Sequence, residues 1–497
     1  MGKKRVYWIW ATLIFLLAFF LRTYRIDSLT EFLGDQGRDL LIVYQAFISK
    51  SIPLSGPTVL TGQHLGPFFY YLISIPLILS NFNPLSAAVF MAFLGSVSAV
   101  LLLYIGTEIF DFWIGVFIAL IFTVSPALIV QSRLIWEPTP IPFFVFLFII
   151  SLVKVYKDRR FYFFLLTGIT LGILIQLHYP DMFLFLPALF IVFIILKEKR
   201  KNESLRKIVY WILGGFVCFF LTILPFILYE ASNGFSDIKG LTYFILVGNT
   251  TPREFSLLYF VGDFSSRLFQ NLYPFYKTWS ALPFVLLVAL VPFYRRNFWH
   301  LFFVVWLFLG TLSLALYRGV VFNHYLNFLI PVPFLLLGAF LKSIGNLKLR
   351  MVVFVFLAIL VFIDLSKSDI SSSGSKDLSR VDNLTNTVIK LSNNKPYSFT
   401  LISSNSFSDL HYRYFLLIKK HVPRDITDRD YNQLFLICEK APCPSKDEVS
   451  HTLIVKVLCN TSHCEQGEYP TNINMAQWKL YKIDYMENYA IYSFNRL

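Results

Sequence analysis

The sequence predicts an α-helical polytopic membrane protein of about eleven spans, with a long first outer loop carrying juxtamembrane helices and a small carboxy-terminal α/β outer domain. Three observations carry that prediction. Of the 497 residues, 56% are hydrophobic and only 15% charged, against about 25% charged in soluble domains. Apolar runs close to the ~20 residues a span needs recur through the first 365 positions, with short basic clusters between them. Beyond residue 366 the composition turns polar and short β-like runs appear.

Apolar segments fall near 6–21, 84–105, 112–130, 139–156, 161–178, 181–196, 208–229, 279–294, 298–317, 322–341 and 350–364. Met1–Arg5 and the run Val6 to Leu21 lack a small-residue cleavage site, so this segment is expected to stay as the first span. Five basic clusters set the orientation: Lys3/Lys4/Arg5, Lys154 to Arg160, Lys197 to Lys207, Arg295/Arg296 and Lys342 to Arg350. All five share one side if each segment crosses once, which places the amino terminus in the cytoplasm and the carboxy terminus outside. The segment Gly66 to Ser80 is apolar but short and holds two prolines. A full crossing there would put the later basic clusters on the wrong side, so it is expected to be re-entrant or interfacial. Residues 22–83 then form one outer loop within a membrane domain of residues 1–365.

The net charge of +14 is spread over these inter-span clusters. That pattern suits loops facing anionic membrane lipids of a plasma (inner) membrane, and it speaks against a nucleic-acid groove. The inner loops contain no Walker or Rossmann glycine loop, which argues against an ATP-driven pump or a nucleotide-sugar enzyme.

Unusual polar residues gather on the outer side. Glu31 to Asp39 packs Glu31, Asp35, Arg38 and Asp39 beside Gly34 and Gly37. Ionisable groups next to a span are rare unless used, and the glycines permit backbone conformations that could aim a carboxylate. Asp35 is the candidate general base, accepting a proton from an attacking hydroxyl; a helix-capping role is the plainer alternative. Asp39, one turn on, either positions substrate or pairs with Arg38 or Arg22. Arg133 could hold a lipid phosphate through paired hydrogen bonds, or it could snorkel to the headgroups. Glu137, just before Pro138, could be a second acid or bind acceptor. His64 lies in the first outer loop, and His178 and Tyr179 end a later segment. Together with His324 they are candidate substrate-binding groups, and Arg318 is a second candidate for phosphate. Tyr70, Tyr71 and Trp136 offer sugar-stacking faces, although such residues also enrich at membrane interfaces.

Ser371 to Ser375 reads as a linker to an extracytoplasmic domain of residues 366–497. Strands are expected at Tyr397–Ile402, Gln433–Cys438, Leu453–Val457, Trp478–Ile483 and Tyr489–Phe494. Cys438, Cys443, Cys459 and Cys464 suit disulfides in an oxidising compartment, since the spacing lacks the CxxC of a zinc site. Cys218, within a span, is expected to pack. Asn249, Asn383 and Asn460 head sequons on the outer side.

Gly34-Asp-Gln-Gly-Arg-Asp39 after a single amino-terminal span, His64-Leu-Gly-Pro-Phe-Phe-Tyr-Tyr71, Ser125-Pro and Ser132-Arg-Leu-Ile-Trp-Glu137 together resemble the GT-C integral-membrane glycosyltransferases. The likeness covers most of residues 1–365 and is nearest to the protein O-mannosyltransferase and aminoarabinose-transferase branch (glycosyltransferase family 39). It implies a polyprenyl-phosphate-linked sugar donor and transfer to a hydroxyl of a protein, lipid or glycan acceptor outside. The expected step is a single displacement with inversion, with Asp35 at the position of the family's presumed base. Arg133 and Arg318 would stabilise the leaving phosphate. Where many relatives carry Asn, this chain has Glu137; a divalent metal is permitted but not required, and no cofactor is predicted. A lipid-linked glycan transporter or a non-catalytic glycan-binding membrane protein are the other readings. A transporter would place ionisable groups in mid-span and break its helices at the midplane.

Overall fold

A computed structural model describes residues 2–59, 62–198, 203–247, 257–272, 278–290, 297–317, 320–366, 372–406, 408–426, 428, 430–451, 454–456, 472–486 and 489–497. Helix α1 (Lys3–Thr23) is followed by a first outer loop that folds onto the bundle. A single turn, α2 (Ile26–Leu29), leads to α3 (Gly34–Ser49), and α4 (Phe68–Leu79) closes the loop. Phe69, Ile73 and Leu77, spaced four apart, are buried along one face of α4 while Leu79 is exposed. At 1.5 Å per residue α4 is about 18 Å long, too short for a ~30 Å hydrocarbon core.

Helix α5 (Pro84–Ile109) starts where the Asn83 side chain accepts the Leu85 N–H at 3.0 Å. Helix α6 (Phe112–Val124) starts on Asp111, which accepts from Ile114 N–H at 3.0 Å, and it gives way at Pro126 to α7 (Pro126–Gln131). Next come α8 (Ile141–Tyr156) and α9 (Phe163–Leu177), then a 3-10 turn, Tyr179–Leu184, leading into α10 (Phe185–Lys197). Helix α11 (Leu205–Ser232) precedes two outer helices, α12 (Ser236–Val247) and α13 (Leu257–Phe269). Helices α14 (Leu282–Leu290), α15 (Phe298–Leu316), α16 (Pro331–Ser343) and α17 (Leu347–Leu365) complete the helical part.

Helices lie at all eleven predicted positions, but eleven crossings are not established. Among the described residues, five helices are long and apolar enough to span: Lys4–Thr23, Pro84–Ile109, Tyr179–Lys197, Leu205–Ser232 and Phe298–Leu316. Asn323–Leu329 and Pro331–Ser343, bent by 47°, make a sixth if they cross as one. Helices α6, α8 and α9 have 13, 16 and 15 residues and fall short of a full span alone. Pro126 shortens α6, because proline cannot supply the amide that the Phe122 carbonyl requires.

From residue 372 on the chain is mixed α and β. Helix α18 (Asp377–Ser392) precedes β1 (Tyr397–Ser403), α19 (Leu410–Ile418), β2 (Gln433–Cys438), α20 (Lys446–His451), β3 (Ile454–Lys456), β4 (Asn472–Asn474), β5 (Trp478–Met486) and β6 (Tyr489–Arg496). The main sheet has the order β1-β2-β6-β5. Strands β1 and β2 run parallel across the α19 connection, while β6 is antiparallel to both its neighbours. β3 and β4 form a separate antiparallel pair. Cys438 and Cys443 form a disulfide; Cys459 and Cys464 lie outside the described residues, as do Asn249 and Asn460.

One seam holds the middle of the bundle tight. Helices α9 and α11 meet at Gly168 and Gly215, where a Cβ on Gly168 would fall 1.9 Å from the Gly215 carbonyl oxygen. Such small-residue seams let membrane helices exchange close van der Waals contact. Gly168→Leu is expected to force the pair apart and lower the melting temperature of the detergent-solubilised protein, a loss of about 3 kcal/mol or more for an overpacked contact. A melting curve that matches wild type would disprove the close approach.

Candidate active site

Helix α3 carries the acidic motif on its first two turns. A negative side chain is electrostatically favoured near a helix amino terminus, and Asp35 occupies the first turn. The Arg38 guanidinium lies between two carboxylates, with Nη1 at 3.1 Å from Asp35 Oδ1 and Nε at 2.9 Å from Asp39 Oδ1. The two acids differ in access: 32% of the Asp35 side chain is exposed and none of Asp39. Tyr70 on α4 donates to Asp39 Oδ1 at 3.5 Å, and Asp39 Oδ2 is buried without a hydrogen bond.

Glu137 stands in the turn between α7 and α8, buried, within electrostatic reach of Asp39, Arg38 and Asp35. Burial first, and then the Asp39 charge, raise its carboxyl to about 8, while Arg38 opposes the rise. Burial likewise raises Asp39, against the pull of Arg38. Its Oε2 has no hydrogen-bond partner. Asn327 Nδ2 donates to the Pro138 carbonyl at 2.9 Å, so the chain after α15 holds this turn in place.

A cavity of about 150 Å³ opens beside Arg38, lined also by Ile42, Pro53, Ser55, Gly56, Thr58, His64 and Tyr70. His64 is fixed from three sides. Asp237 Oδ2 lies 3.1 Å from both its backbone nitrogen and Nδ1, Tyr229 Oη lies 3.2 Å from Nδ1, and Tyr179 donates to its carbonyl. On the far side of Tyr179, His178 is buried with its ring 5.3 Å from His324, and His324 sits 4.5 Å from Trp136, next to Glu137.

The structure thus brings Asp35, Asp39, His64, Glu137, His178, Tyr179 and His324 to one end of the helical bundle. Arg133, a candidate for phosphate, bonds to the end of α1. It is 1% exposed, and its guanidinium donates to the Leu21 and Arg22 carbonyls at 3.0 and 3.2 Å, the last turn of α1. Those carbonyls have no partner within their own helix. Arg318 lies outside the described residues. Sequence reading offered Arg38 only as a partner for Asp39 and Tyr70 only as a sugar-stacking face, although Arg38 follows Asp35 by three positions and so shares its helix face. Asp237 is 173 residues from His64, and nothing local to either announces the pair. Among the described residues no three His, Cys, Asp or Glu side chains converge as metal ligands.

The sequence pattern of the dolichyl-phosphate-mannose-protein mannosyltransferase family matches residues 12–235, which include the second half of α1, the long loop after it and the turns bearing Glu137 and His178. The match covers less than half of the chain, and over that stretch the chain is similar to this family. In fold, the chain is similar to ArnT from Cupriavidus metallidurans in the apo state, with a TM-score of 0.62 at 11% identity over 99% of this chain and 98% of that one. The same protein bound to undecaprenyl phosphate gives 0.59 at 11% over the same shares. An Archaeoglobus fulgidus oligosaccharyltransferase in complex with Zn and sulfate gives 0.51 at 13%, over 86% of this chain and 67% of that one. The ArnT likeness extends through the carboxy-terminal sheet as well as the helices. A sequence comparison with curated proteins finds no match.

Arg133→Met is expected to leave the α1 carbonyls unpaired and to destabilise the protein by about 3 kcal/mol, the cost of breaking a buried charged contact. Binding of polyprenyl phosphate should stay unchanged. Thermal melting and a polyprenyl phosphate titration check this together; normal melting with lost lipid binding would return Arg133 to the donor site.

Proposed function

We propose that this protein is a GT-C glycosyltransferase that transfers a sugar from a polyprenyl-phosphate-linked donor to an acceptor hydroxyl on the extracytoplasmic side, with inversion and with Asp35 as general base. The observation that carries the proposal is the position of Asp35: of the two carboxylates bound to Arg38, it is the one that solvent reaches, and Arg38 lines the polar cavity. The acceptor hydroxyl attacks the anomeric carbon, its proton passes to Asp35, and polyprenyl phosphate departs with the bonding pair. Arg38 holds the Asp35 carboxylate in place. His64, fixed by Asp237, and Tyr70 line the space for the reacting groups. Glu137, in its protonated form, offers a hydrogen bond to donor or acceptor, and Asp39 holds Arg38. Tyr179, His178 and His324 shape the neighbouring wall. Arg318 is the remaining candidate to meet the departing phosphate. The donor's lipid enters from the membrane, and the acceptor is a protein, lipid or glycan.

Proteoliposomes holding the full chain, radiolabelled polyprenyl-phosphate sugars and a membrane extract as acceptor pool test this. Asp35→Asn is expected to lower transfer by about 10²–10⁴-fold, the range for removing a general base. Equal transfer by both proteins would remove Asp35 from the mechanism. Binding of a donor with no transfer by either would favour a transporter or a binding protein.

The protonated state of Glu137 gives a second test. Its carboxyl releases its proton near pH 8 rather than in the usual acid range, so the rate should fall as pH rises through that value. Glu137→Gln keeps a donor and should flatten the alkaline limb while leaving the neutral-pH rate within about three-fold. Stability carries the same sign. Below pH 8 the folded state holds a proton that the unfolded chain has released, so this residue's contribution declines as pH climbs from the ordinary carboxylate range to about 8. An alkaline limb that persists in Glu137→Gln would assign it to another group.

A further inference from the structure

The loop before α3 is bonded to residues more than 340 positions away. Phe32 N–H donates to Asp377 Oδ2 at 3.3 Å, and Gly34 N–H donates to Ser406 Oγ at 2.9 Å. Gly34 is the first residue of α3, and the opening amides of a helix have no partner within it. Ser406 therefore acts as a cap supplied from the carboxy-terminal region.

The two contacts belong to one connected network. Asp377 pairs with Arg380 at 2.6 Å, and Arg380 Nε lies 3.8 Å from Glu439 Oε2. Glu439 accepts from Tyr412 Oη at 2.6 Å and from the Ser404 hydroxyl. Ser404 Oγ accepts the Ser406 N–H at 2.8 Å, which closes the circuit back to Gly34. Asp377, Ser406, Tyr412 and Glu439 are all buried. A largely buried network of hydrogen bonds and ion pairs of this kind restrains what it holds.

Contact between backbones reinforces it. A Cβ on Gly37 would lie 2.2 Å from His411 Cα, and one on Gly34 would lie 2.1 Å from Ser408 Oγ. Phe32 packs edge-on against Tyr414 and Phe415 of α19. Tyr414 Oη donates to the Phe82 carbonyl at 2.6 Å, at the other end of the outer loop. Both ends of the loop thus rest on α19.

We infer that the carboxy-terminal region is a working part of the catalytic site, with Ser406 as a positioning residue that caps and seats the helix bearing Asp35 and Arg38. The inference rests on the reading of Asp35 as base. It differs from a mere cover over the site, because the contacts fall on the amides immediately before Asp35 rather than on the cavity mouth.

The test uses the full chain in proteoliposomes and compares wild type, Ser406→Ala, Ser406→Thr and Gly37→Ala. Hydrogen exchange over residues 31–40 is expected to accelerate about ten-fold in Ser406→Ala, the scale of a lost helix cap. The kcat for sugar transfer should drop about ten-fold, with the KM for the lipid-linked donor within two-fold and the melting temperature unchanged. Ser406→Thr, which keeps the hydroxyl, should restore both exchange and kcat. Gly37→Ala should reproduce the exchange and kcat changes through a separate contact. Unchanged exchange in Ser406→Ala overturns the inference whatever the activity. Faster exchange with wild-type kcat overturns the positioning role. Absence of transfer by wild type would defeat the proposed function, while the exchange result still decides whether Ser406 seats α3.

Discussion

Two guanidinium groups buried between helix ends fix the outer rim of the bundle. Pro126 deprives the Phe122 carbonyl of its helical donor, and Arg22 supplies one at 3.3 Å, with a second bond to the Thr123 carbonyl at 3.0 Å. Arg133 does the same for the last carbonyls of α1. Each arginine thus leaves one element and closes another, tying α1, α6 and the turn after α7 together. A carbonyl stranded away from water costs several kcal/mol in such surroundings, and a cation at a helix carboxy terminus is also favoured by the helix dipole. The consequence reaches the site. Glu137 begins one turn beyond Arg133, and the acidic motif begins nine residues beyond Arg22, so the two halves of the carboxyl cluster hang from the same clasp.

Within that cluster, three carboxyls share one arginine. All three cannot ionise in a buried space around a single positive charge without large repulsion. Burial resolves the conflict by holding protons on Glu137 and raising Asp39 against the pull of Arg38. Because Glu137 and Asp39 interact, these two titrate as a pair rather than as independent acids. Asp35 is the member that solvent reaches, which is why the proposed function gives it the role of base. The arrangement separates a buried, charge-conserving side from an accessible, reactive one along a single helix face.

Local sequence showed the elements but not their partners. The strands Gln433–Cys438, Tyr397–Ser403 and Tyr489–Arg496 fall where β-branched and aromatic runs place them. Each apolar segment is helical, yet the number of crossings is not readable from hydropathy, because α6, α8 and α9 are shorter than the runs that predict them. The glycines of the acidic motif illustrate the limit most clearly. Sequence suggests conformational freedom at Gly34 and Gly37, but both are helical, and what they provide is room for Ser408 and the backbone of His411. Those partners lie more than 370 positions downstream, beyond any local pattern. Arg133 presents the same difficulty. A guanidinium near a span end satisfies a lipid phosphate and a helix carbonyl by the same chemistry, and only the surrounding fold distinguishes them.

The acid-bearing helix is held between two bodies. Tyr70 and Glu137 meet it from the bundle, whereas Asp377, Ser406 and α19 meet its start from the carboxy-terminal region. A helix of 16 residues in an outer loop gains little stability of its own, since most helical stability in proteins comes from packing rather than propensity. Support from one side alone would leave the first turn, where Asp35 sits, free to fray. Support from both sides fixes the carboxylate relative to the membrane-embedded groups that would receive a lipid-linked donor. On the proposed function, a base in the seam between the helical bundle and the carboxy-terminal region would stand where a lipid donor from one side and a hydroxyl acceptor from the other could meet. The demand for a rigid first turn at that junction gives a physical reason for a carboxy-terminal region that bonds directly to the loop preceding the acid.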